Sequence, residues 1–107
     1  MSLYLASIAV GARFHKQVQS DLNKILKDYF DVSEALGDDF YREFMAGVEV
    51  ASDNPTFFHF DLGGLRRCNL ERFPFHFLYD IRDGQPRIWV LRHHSRKSSL
   101  GMRRFRR

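Results

Sequence analysis

A chain of 107 residues with a hydrophobic fraction of 44% has room for one small domain around one core, so residues 1–107 are read as a single unit. No apolar run reaches the roughly 18 residues that a membrane span needs, and the opening MSLYLASIAV is short and lacks the basic start of a signal peptide. The net charge of +4 hides a split, because residues 1–64 carry five Lys/Arg against ten Asp/Glu and residues 65–107 carry twelve against three.

Residues 8–14, IAVGARF, place Ile8, Val10, Ala12 and Phe14 on one face at a period of two and read as a first strand. Val18, Leu22, Ile25, Leu26 and Tyr29 then follow the spacing of one helix face, with Lys16, Lys24, Lys27 and Asp28 mostly outside it. Asp31–Ser33 ends that helix, and Ser33 is placed to cap the next. Leu36, Phe40, Phe44, Val48 and Ala51 form a second helical stripe, loosened in its first turn by Gly37 and stopped by Asn54-Pro55. The short connection predicts an antiparallel helix hairpin.

TFFHFDLGG (56–64) reads as a loop, after which the period changes to two. LRRCNLE (65–71) and PFHFLYDI (74–81) read as strands, the second with Phe75, Phe77, Tyr79 and Ile81 on one face and His76 turned away towards solvent. Asp83-Gly84 is a hairpin signal. RIWVLRH (87–93) closes the set, apolar on both faces in its middle as an interior strand is, with Ile88, Val90 and Arg92 on one face and Trp89, Leu91 and His93 on the other. The order strand–helix–helix–strand–strand–strand predicts an α+β fold, a helix hairpin on one face of a mostly antiparallel sheet. From about residue 98 the chain reads as a basic, flexible tail.

The residues that could carry chemistry are mostly bases. The last sixteen residues hold seven of them and no acid, which suits either a polyanionic partner or a solvated tail. Arg66, Arg67, Arg92, Arg96, Lys97, Arg103 and Arg104 are the candidates for contact with a partner or target. The competing reading of the strand arginines is simple solvation. MRRFRR could grip nucleic acid through phosphates, with Phe105 to stack. His93 reads as a strand-ending residue with a satisfied hydrogen bond. His93 and His94 are adjacent, so on a strand they face opposite ways, and no metal site is expected. Gly63-Gly64 lacks the strand-to-helix context of a phosphate loop. Tyr79 and Trp89 read as core. Cys68 has no partner for an internal disulfide and reads as a buried thiol in a reducing cytoplasm.

Four stretches, taken in order, resemble the RelE/ParE superfamily of bacterial toxins, in particular the ParE-like plasmid-stabilisation proteins. They are ALGDDFYREF on the second helix, ASDNP before an aromatic loop, GLRRCNLERFPFHFLYDI, and RIWVLRHHSRK with its His, two residues, then Arg. The similarity runs from about Phe14 to Arg104. It implies the toxin of a type II toxin–antitoxin pair, bound by a cognate antitoxin as a hetero-oligomer, with a homodimer also open, and needing no cofactor. A ParE-like member implies a protein target, DNA gyrase. A RelE-like member implies endonucleolytic cutting of mRNA on the ribosome, which here would draw on Arg96, His93 and Arg72. A homologue without toxicity would act as a binding module alone. Two departures count against the nuclease: Glu71 stands where such enzymes carry an arginine, and Met102 stands near the place of their C-terminal tyrosine.

Overall fold

The computed structural model describes residues 11–61 and 63–106. The elements are β1 (Arg13–Phe14), α1 (Lys16–Val32), α2 (Glu34–Asp53), β2 (Arg66–Asn69), β3 (Phe75–Arg82), β4 (Gln85–His93) and a short α3 (Met102–Arg106). They form an α+β fold in the expected order, a helix pair on a four-stranded mixed sheet. The sheet runs β1-β4-β3-β2, with β1 parallel to β4 and the other pairs antiparallel. β4 is therefore interior. Of the expected first strand, Ile8 and Val10 lie outside the described residues, and only Arg13–Phe14 pairs. No described helix is long and apolar enough to cross a membrane.

One residue joins the helices. Ser33 is extended; its N–H donates to the Tyr29 carbonyl (3.0 Å) and closes α1, while its Oγ accepts from the Leu36 N–H (3.0 Å) and opens α2. Val18, Leu22 and Leu26 of α1 and Phe40, Phe44, Val48 and Ala51 of α2 are buried against the sheet. Phe40 meets Phe73 and Phe75 edge-on at 5.1 and 5.4 Å, and Phe44 meets Phe77 at 5.5 Å. Phe40, Phe44, Phe77 and Tyr79 are fully buried, each contributing about 1.5–3 kcal/mol of hydrophobic stabilisation. The Tyr79 hydroxyl donates to the Pro55 carbonyl (2.8 Å), which pins the end of α2 to the sheet. Gly37, expected to loosen α2, is instead buried, with the Phe30 ring where a side chain would stand.

The β3–β4 hairpin turns at Asp83 (φ 52) and Gly84 (φ 76), the doubly left-handed turn that Asp-Gly favours. Further along, Leu78 pairs with Val90 but Tyr79 pairs with Ile88, so Trp89 is an extra residue on β4. This bulge corrects the expected alternation. Ile88 and Leu91 both join the helix-side core, whereas Val90, with Trp89 packed beside it, belongs to a second cluster with Leu65, Leu78 and Met102 on the opposite face.

Gly47 of α2 sits where a Cβ would stand 2.9 Å from the Cys68 Sγ and 3.0 Å from the Phe77 ring. Alanine is the better helix former by about 1 kcal/mol, but overpacking costs roughly 1–3 kcal/mol. Both neighbours are buried. Gly47→Ala is therefore expected to lower stability by up to about 2 kcal/mol, read from the urea midpoint. A midpoint at or above that of the parent would show that the helix–sheet spacing is loose.

Candidate functional site

The sheet face away from the helices carries the polar chemistry. β3 and β4 supply His76 and Arg92, cross-strand partners with the same outward parity. The loop from Phe57 to Asp61 lies along β2, through the Phe60–Arg66 bridge and the Arg67 N–H on the His59 carbonyl (2.9 Å). The chain after β4 folds back over the same face. The tail from residue 98 is thus not free: Met102 is buried, and Gly101 (φ 87) lies so close to Val90 that a Cβ would meet its methyl at 2.7 Å. Phe105, expected as a stacking ring, lies outside the described side chains.

His76 is 1% exposed, not turned to solvent, because this returning chain covers it. The Arg92 Nε donates to His76 Nε2 (2.9 Å), so the ring's proton sits on Nδ1. That Nδ1 is 2.9 Å from the Nδ1 of His94, which must accept and so carries its own proton on Nε2. The two rings stack at 5.1 Å and 11°. Burial, then the charges of Arg67, Arg92 and His94, pull His76 down to about 3, and burial with Arg67 and His93 lowers His94 too. Arg92 is 4% exposed; its Nη1 donates to the Ser98 (2.9 Å) and Leu100 (2.7 Å) carbonyls, and its Nη2 is 3.9 Å from the Asp61 carboxylate. Asp61 also holds Arg67 at 3.4 Å.

The other expected bases divide by what they touch. Arg66 donates to the Phe58 (2.7 Å) and Thr56 (3.4 Å) carbonyls and lies over the Phe60 ring at 4.1 Å. Arg72 reaches Asp39 of α2 at 3.2 Å, and its N–H is held by Glu43. Arg104 donates to the Trp89 carbonyl (3.0 Å) and pairs with Asp21 at 3.6 Å. His93 Nδ1 accepts from the Ser95 N–H (3.0 Å), and its ring meets Phe75 edge-on while His94 goes to the opposite face. Arg96, Lys97 and Arg103 are exposed and make no ion pair among the described residues. Lys24, His93 and Arg96 line one side-groove of 230 Å³ with Phe75, Leu100 and Arg104. Arg103 borders an open cavity of 580 Å³ with Gly63, Ser98 and Ser99. Exposed Phe57 and Phe60, at 59% and 65%, stand on the loop.

Sequence reasoning missed the Asp61–Arg92–His76–His94 chain. Its only local signal is the odd parity of His76 between two core-facing phenylalanines, Phe75 and Phe77. Cys68 is buried as expected, and burial followed by Glu43 pushes its thiol up to about 12, which leaves it a poor nucleophile. No metal-binding group of three or more His, Cys, Asp or Glu occurs among the described residues. Neither protein-family models nor curated proteins yield a match to this chain.

The His76 ring sets a pH response. Its folded value is below the unfolded one of about 6.5, so the unfolded chain binds the extra proton first. The contribution is complete above pH 6.5 and is lost as pH falls towards 3. Urea unfolding from pH 7.5 to 5 should show stability falling by up to about 1.4 kcal/mol per unit below 6.5, with a shallower slope in His76→Gln. His15 and His94 add to the parent slope in the same sense, so only the difference between the two proteins belongs to His76. Parallel slopes would mean that His76 is not held neutral.

Proposed function

We propose that this protein is the toxin of a type II toxin–antitoxin pair, ParE-like, which acts in the cytoplasm by binding a protein target, DNA gyrase, and is neutralised by a cognate antitoxin. The observation that carries the reading is the division of its bases. Arg66, Arg67, Arg92 and Arg104 are engaged within the fold and Arg72 is paired on its surface, while Arg96, Lys97 and Arg103 on the chain after β4 are exposed and without an ion pair among the described residues. Catalysis needs its acid, base and charge stabiliser gathered on a reacting atom. Here the most ordered groups, His76 and Arg92, are buried and satisfied by each other. Exposed bases together with the exposed aromatics Phe57 and Phe60 suit binding, in which charge speeds and selects the encounter and apolar burial holds it.

One observation favours the nuclease as second reading. His93 and Arg96 line the same groove as Lys24, on whose wall Asp21 is already paired with Arg104, so bases for a phosphate are gathered there. Induced expression in bacteria separates the readings. The gyrase reading expects plasmid supercoiling to fall while translation continues, and replacing Arg96, Lys97 and Arg103 by alanine to weaken target association at least roughly tenfold at low salt. Cleaved mRNA, abolished by Arg96→Ala, would establish the nuclease instead. Normal growth with folded, soluble protein would leave a binding module without toxicity.

A further inference from the structure

The Asp61–Arg92–His76–His94 chain is buried at its centre and open to water at one end, where His94 is exposed. Its hydrogen bonds run in one direction. A guanidinium has no acceptor, so Arg92 fixes the His76 proton on Nδ1, and the His94 Nδ1 can meet that proton only as an acceptor. A charged imidazole carries protons on both nitrogens and accepts nothing. Protonation of His94 therefore turns its 2.9 Å contact with His76 into two N–H groups facing each other. His76 cannot relieve this by moving its proton to Nε2, because that nitrogen takes the Arg92 Nε–H (2.9 Å).

The surroundings also push a charged His94 outwards. Arg67 of β2 and His93 of β4 act on it directly, and Arg92 acts on the His76 ring against which it stacks. The acid of the aromatic loop, Asp61, is shared between Arg67 and Arg92 at 3.4 and 3.9 Å. Asn69, across from His76 on β2, is uncharged, and its Oδ1 already accepts from the Arg67 Nε (2.7 Å). On the returning chain, Arg96 and Lys97 add positive charge with no ion pair among the described residues. We propose that His94 is a proton-operated latch: its neutral ring closes over His76, and its charged ring swings into water and opens the His76–Arg92 pair behind it. The side chain alone is the moving part, since the His94 N–H is held by the Pro74 carbonyl (2.8 Å). Arg92 grips the Ser98 and Leu100 carbonyls, so opening the pair reaches the segment that covers the sheet. Arg96 and Lys97 lie between the latch and those carbonyls, so acid repositions exposed cations whatever partner they meet. The latch does not rest on the toxin reading.

Nitrogen NMR of the histidine rings of the full chain, from about pH 7.5 to about pH 5, tests this. At the upper end the His94 proton should be on Nε2 and the His76 proton on Nδ1, with cross-ring nuclear Overhauser contacts between the two. As His94 gains its second proton, those contacts should vanish with the same midpoint. The Arg92 Nε–H and the Leu100 amide should shift with them. In His94→Asn the side-chain oxygen can accept from His76 but cannot be charged, so the Arg92 and Leu100 signals should hold still over the whole range. Position 94 is exposed, so this variant leaves the core intact. His93→Asn, which removes the neighbouring titration, should keep the Arg92 transition. Ring contacts and an Arg92 signal that persist once His94 is charged would overturn the latch. So would a His94→Asn protein that titrates like the parent, or a His94 ring still neutral at the lower end of the range.

Discussion

The second face of the sheet depends on the buried guanidinium of Arg92. A charge taken out of water on an interior strand costs several kcal/mol unless its donors are met. Here they are met by three separate stretches of chain: the His76 ring on β3, the Ser98 and Leu100 carbonyls of the returning segment, and, at the longer distance of 3.9 Å, Asp61 of the aromatic loop. None of these groups is near another in sequence, so each stretch is held in register by the same side chain. Met102 reaches the cluster of Leu65, Leu78 and Val90 because the segment that carries it is fixed two residues earlier. The apolar gain of that small cluster and the satisfaction of Arg92 are thus coupled. Loss of either would expose a charge or a hydrophobic patch.

The bulge at Trp89 makes this arrangement possible. With strict alternation, Ile88 and Arg92 would share a face, and one of them would be misplaced. The extra residue lets Ile88 and Leu91 complete the helix-side core while Val90 belongs to the other side, and Arg92 reaches the groups that cover it there. It also places the Trp89 indole beside Asp80, whose Oδ1 accepts from its Nε1. One inserted position on one strand therefore shapes both the polar chain at His76 and the Asp80–Trp89 contact across β3 and β4.

Much of the architecture was legible in the sequence because its signals are local. The stripes from Val18 to Tyr29 and from Leu36 to Ala51, the Ser33 cap, the Asn-Pro stop and the Asp-Gly turn each act within a few residues. The fold class and helix hairpin follow from them. The errors arose where a local rule met a non-local one. A bulge adds one residue without disturbing composition, so the period of two carried through Trp89 put Ile88 with Val90. His76 has the outward parity expected of it, yet what covers that face comes from residues 57–61 and 94–104, which no periodicity places. The same holds for the bases. That Arg104 would find Asp21, or Arg92 the carbonyls of Ser98 and Leu100, is a property of the folded surface alone.

That sorting of bases bears on function more directly than their number does. A positive charge already satisfied within the fold contributes little to recognition, because a partner must first displace its internal contacts. Among the described residues, the strongly basic second half of the chain therefore has fewer cations to offer than its composition suggests. After β4, the exposed Arg96, Lys97 and Arg103 flank backbone held by Arg92, which suits a broad contact with a macromolecule. Such an adaptable rim gains from area rather than from one well-placed contact.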